Sequence, residues 1–124
     1  LVQRYQSREG MIRAALTAAW DGLDQALDAA EMEQKPAALL KQLSEIDSVS
    51  LMPATLRDAG LRERAAGWRA RVEAALALRL GGGTRGREAA SLMFSAWQGQ
   101  MLWQDAGGRG FKLKEAAKRV QRAT

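Results

Sequence analysis

The stretch Arg87-Glu88-Ala89-Ala90-Ser91-Leu92-Met93-Phe94-Ser95-Ala96-Trp97-Gln98-Gly99-Gln100-Met101-Leu102-Trp103-Gln104-Asp105 decides the fold. Wound as a helix over 87–105, it places Leu92, Met93, Phe94, Ala96, Trp97, Met101, Leu102 and Trp103 around most of the cylinder. A helix apolar nearly all round is buried on two sides, so other helices must cover it. Gly99 inside it costs about 1 kcal/mol against Ala, which points to a close helix approach there. A buried central helix demands a bundle.

The flanking segments supply one. Leu61, Ala65, Trp68, Val72, Ala75, Leu76 and Leu80 form a stripe at helical spacing, laced with charged residues and stopped by Gly81, Gly82 and Gly83. With Thr84, Arg85 and Gly86, this is the clearest loop in the chain. Beyond 105, Gly107, Gly108 and Gly110 end the central helix. A last helix at 112–122 follows, with Leu113, Ala116, Ala117 and Val120 on one face and Lys112, Lys114, Lys118, Arg119 and Arg122 opposite. Upstream, Ser7 is a good N-cap with Glu9 in the first turn. Ile12, Leu16, Ala19, Leu23, Leu27 and Ala30 then predict a long helix over 7–32. Pro36 opens a helix over 36–47 carrying Leu39, Leu40, Leu43 and Ile46. Asp47 to Ser50 form a loop, and Pro53 opens a short helix that Gly60 ends or kinks. The expected fold is all-α, a bundle of about six helices.

At 124 residues, 47% hydrophobic and 27% charged, the chain suits one globular domain. It has no Cys and no His, which excludes disulfides, thiolate chemistry, Ser-His-Asp catalysis and the usual zinc sites. We therefore expect no enzyme and no cofactor. The net charge of +5 comes from 19 basic residues, 14 of them Arg, spread along the chain as solvated helix faces. No apolar run approaches the 18 residues of a membrane span, and no signal peptide is visible. A cytoplasmic location is expected. The chain begins with Leu rather than Met, which suggests part of a longer protein.

Three features could carry chemistry. Asp21, Asp24 and Asp28 share one helix face, but hard-metal sites gather ligands from several elements, and the reading is a solvated acidic face. The Gly81–Gly86 stretch lacks the Lys-Ser/Thr pair and preceding strand of a phosphate loop, and reads as a connector. Four Trp and five Met remain. Trp20, Trp68, Trp97 and Trp103 lie on three long helices, where they either fill a core or line an adaptable apolar pocket.

The first residues, Leu1-Val2-Gln3-Arg4-Tyr5-Gln6-Ser7-Arg8-Glu9-Gly10-Met11-Ile12, resemble the end of the DNA-recognition helix and the start of the next helix in TetR-family transcriptional regulators. Leu1, Ser7 and Glu9 match that junction. Tyr5 stands for its Phe, Arg8 for its Lys and Met11 for its Leu, while Val2 departs from the usual Tyr. Leu56 to Arg64 is similar to the opening of the family's long seventh helix. Ala89 to Trp103 resembles the penultimate helix, and Lys112 to Arg122 the last. The resemblance runs through the whole chain in order.

It implies a stub of the recognition helix at 1–6 and an effector-binding and dimerisation domain at 7–124, most of the helix-turn-helix being absent. It implies a ligand-responsive regulator, acting as a repressor, in which a small apolar effector changes affinity for operator DNA. Gln3 and Arg8 would lie at the DNA backbone, and this chain alone would bind DNA non-specifically at most. The effector site would draw on Trp20, Leu43, Met52, Leu56, Trp68, Val72, Trp97 and Met101, with Thr55 and Gln98 as polar anchors and no Arg inside. The second apolar side of the 87–105 helix would meet its copy in a homodimer, through Leu92, Phe94, Ala96, Gly99, Leu102, Leu113 and Val120. The competing expectations are a constitutive helical dimerisation module without a ligand, marked by the lack of a cavity among the Trp residues, and a small helical enzyme, marked by a buried carboxylate cluster.

Overall fold

The computed structural model describes residues 7–108 and 110–123. They form six α-helices and a short 3₁₀ turn, with no strand among the described residues.

Helix α1, Arg8–Ala30, starts where the capping residue dictates: Ser7 is extended and its hydroxyl accepts the Gly10 N–H at 3.0 Å. Its buried face is Trp20, Leu23, Leu27 and Ala30. Residues 8–15 are all exposed, so Ile12 does not join the core stripe and the first two turns project past it. Helix α2, Pro36–Leu43, buries Leu39, Leu40 and Leu43 completely. It stops short of the expected 47. The N–H groups of Glu45 and Ile46 bond three residues back, to Gln42 and Leu43, and tighten the chain into a turn. The expected loop at 47–50 runs into the 3₁₀ turn Val49–Leu51, and α3, Met52–Thr55, follows with Pro53 in its first turn.

Helix α4, Ala59–Arg79, begins before Gly60, which therefore neither ends nor kinks the preceding element. Asp58 is the N-cap; its carboxylate accepts the Leu61 N–H at 3.0 Å and also the Arg13 Nε–H at 2.7 Å. The glycine loop is shorter than expected as well. The Gly82 N–H bonds the Ala77 carbonyl at 2.8 Å while Gly81 takes φ +107°, a Schellman stop. Helix α5, Gly83–Trp103, then starts at once, so Thr84, Arg85 and Gly86 are helical. Gly107, at φ +86°, stops α5 in the same way, with Gly108 N–H on the Trp103 carbonyl. Helix α6, Leu113–Ala123, closes the bundle against α5 and α2.

The three-residue connection, Leu80 to Gly82, makes α4 and α5 an antiparallel hairpin. It is held close by Gly86, where a Cβ would meet the Ala77 carbonyl oxygen at 2.9 Å. Gly99 does not play the close-approach role within this domain: a Cβ there meets nothing within 4 Å. Helices α1 and α4 run parallel, because their charged partners advance together. Arg64 pairs with Asp21 at 3.0 Å and Asp24 at 2.8 Å, and Arg71 pairs with Asp28 at 2.8 Å and Glu31 at 3.0 Å. The expected solvated acidic face is thus an ion-pair seam. These partners hold both guanidinium groups above the ordinary arginine range, led by Asp24 for Arg64 and by Asp28 for Arg71. Arg79 closes the far end, donating to the carbonyls of Glu31 and Glu33 beyond α1.

Candidate functional site

The sequence places aromatic residues on α1, α4 and α5, and the bundle brings them together. The Trp68 ring lies at its centre, edge-on to Trp20 at 5.7 Å and to Phe94 at 6.1 Å, and tilted against Trp97 at 6.2 Å. Phe94 meets Trp97 edge-on at 5.6 Å. Each indole N–H is satisfied inside the fold: Trp20 on the Thr55 hydroxyl at 3.0 Å, Trp68 on the Leu23 carbonyl at 3.3 Å and Trp97 on the Ser44 hydroxyl at 2.8 Å. With their polar handles occupied, the rings offer carbon to whatever adjoins them.

What adjoins them is a half-open cleft of about 410 Å³, lined by Trp20, Ser48, Met52, Leu56, Arg62, Ala65, Ala66, Trp68, Arg69, Phe94, Ser95 and Gln98. Its volume falls in the roughly 300–1,000 Å³ range of small-molecule sites. The walls are mostly carbon. A polar corner is made by Gln98, whose amide donates to the buried Ser48 hydroxyl at 3.0 Å.

Of the residues expected at an effector site, the structure brings Trp20, Met52, Leu56, Trp68 and Gln98 to this cleft. It does not bring Leu43, Val72, Trp97, Met101 or Thr55. Leu43, Val72 and Trp97 are buried in the core, and Met101 packs beside it. Thr55 is fully buried and its hydroxyl receives the Trp20 indole, so it supports the wall instead of anchoring a ligand. The exclusion of Arg is corrected: Arg62 and Arg69 both reach the cleft. They escape the burial cost of an unpaired charge because they are exposed at its edge. The signal was in the spacing, since Arg62, Ala65, Ala66 and Arg69 repeat at helical intervals on one face of α4. Arg69 pairs with Glu73 and lies 4.6 Å over the Phe94 ring.

Phe94, expected at a dimer interface, is instead a buried wall of the cleft. It stands three residues before Trp97 and shares that buried face. The outward face of α5 carries Leu92, Ala96 and Leu102, joined by the exposed Trp103. Gly99 is half-buried, with open space beside it. Leu113 and Val120 are half-buried and pack against the domain's own core.

Asp58 links the cleft's helices at their start. The Arg13 guanidinium, and then the Leu61 N–H, hold its carboxyl below the usual carboxylate range. Its stabilising effect is therefore present above that range and fades as pH falls through the lowered value. Arg8 is exposed at the start of α1, and Gln3 lies with the whole 1–6 segment outside the described residues. Among the described residues no group of three or more Asp or Glu is placed to hold a metal ion, and no helix is long and apolar enough to cross a membrane. No family model, no curated protein and no solved structure matches this chain.

Proposed function

We propose that this chain is the effector-binding and dimerisation domain of a TetR-type transcriptional regulator, and that the cleft beside Trp20 and Trp68 receives a small, largely apolar effector. The observation that carries the reading is the position of Trp20. It walls the cleft and belongs to α1, whose first turns are the segment that resembles the junction with a DNA-reading helix. A ligand against Trp20 bears on α1 directly, and it changes DNA affinity to the degree that it binds two orientations of α1 differently. The exposed Leu92, Ala96, Leu102 and Trp103 on α5 support a two-fold contact with a second copy.

Trp fluorescence and thermal melts of the domain against a panel of apolar metabolites test the ligand reading. Saturable quenching together with a raised Tm is expected. A panel without either response leaves the constitutive dimerisation module. Sedimentation at tens of micromolar tests assembly, with a dimer as the expected species.

A further inference from the structure

The two arginines at the cleft are not equivalent. Arg69 is neutralised by Glu73 and held over the Phe94 ring, so it acts as a wall. Arg62, in the first turn of α4, donates one N–H to the Leu56 carbonyl at 2.8 Å, which steadies the guanidinium at the edge of the cleft. Among the described residues no carboxylate lies within ion-pair distance of Arg62. A fork of donors thus remains beside an apolar cavity, in a chain of net charge +5.

We infer that the cleft takes an amphipathic carboxylate, its apolar body against Trp20, Trp68 and Met52 and its carboxylate on the Arg62 guanidinium. The inference rests on the ligand reading above and adds the chemical class. A cation is disfavoured by the Arg62 guanidinium. A neutral apolar molecule leaves the donors of Arg62 to water and gains only the burial of its body.

Calorimetric titration of the 124-residue chain with decanoate, 1-decanol and decyltrimethylammonium separates these classes. Decanoate binds saturably and at least about tenfold more tightly than decanol, a difference in the range of one charge-assisted hydrogen-bonded contact. Arg62→Gln removes most of that preference while leaving decanol within about twofold, because only the carboxylate uses the guanidinium. Ala66→Phe, at an exposed position on the cleft wall, weakens both ligands by filling their space. Equal affinity for decanoate and decanol, or an Arg62→Gln variant that keeps the preference, overturns the carboxylate assignment and leaves the cleft as a ligand site. Absence of binding by all three probes overturns both.

Discussion

The closed end and the middle of the α4–α5 hairpin are built from opposite kinds of residue. At the closed end a glycine, Gly86, lets α5 lie against the Ala77 carbonyl, and Leu76, Leu80, Ala89 and Ala90 fill what remains. At the middle the facing residues are rings, with Trp68 and Phe94 centred 6.1 Å apart and Trp97 behind them. Small side chains can be packed to leave nothing over. Flat rigid rings meet edge to face and leave angular space beside them, and the cleft occupies it. One hairpin therefore carries both a close-packed region and part of the wall of the candidate site.

The largest effect is expected among the rings at the middle. Trp97→Ala removes a fully buried ring and the bond to Ser44, and should cost roughly 3–5 kcal/mol in urea denaturation. A loss under about 1 kcal/mol would mean that the rings do not hold that region together. At the closed end, Gly86→Ala drives a methyl group into a backbone carbonyl. Overpacking of that kind costs roughly 1–3 kcal/mol, of which helix propensity returns up to about 1. A variant more stable than the parent would show that α4 and α5 separate easily. The smallest effect is at Gly99, on the same helix but facing open space. There Gly99→Ala should raise stability by about 0.5–1 kcal/mol. In the proposed dimer, Gly99→Leu should yield a folded monomer by circular dichroism and sedimentation. A dimer that tolerates leucine there moves the interface elsewhere.

Much of this comparison was legible in the chain. The burial of one face of α5 followed from its apolar residues, and Trp20 and Trp68, expected at one site, both line the cleft. Phe94 was misplaced because a helix apolar on two sides does not declare which side faces its own domain. Val72, Trp97 and Leu43 share the periodicity of cavity residues but are backed by neighbours that fill the space against them. Arg62 and Arg69 were excluded on the cost of burial, a cost that applies only where water is shut out.

The helical period, several caps and stops, and the lack of His and Cys chemistry can be read directly from the chain. These are local properties, set by residues within one or two turns of each other. That Asp21, Asp24 and Asp28 meet Arg64 and Arg71, that Gly86 rather than Gly99 admits a neighbour, and that the rings leave a cleft with Arg62 at its edge emerge from the packing of the bundle. Each depends on which surfaces of distant helices come together, and on whether the space between them closes. Side-chain volumes in three dimensions settle that, and a one-dimensional period does not encode them.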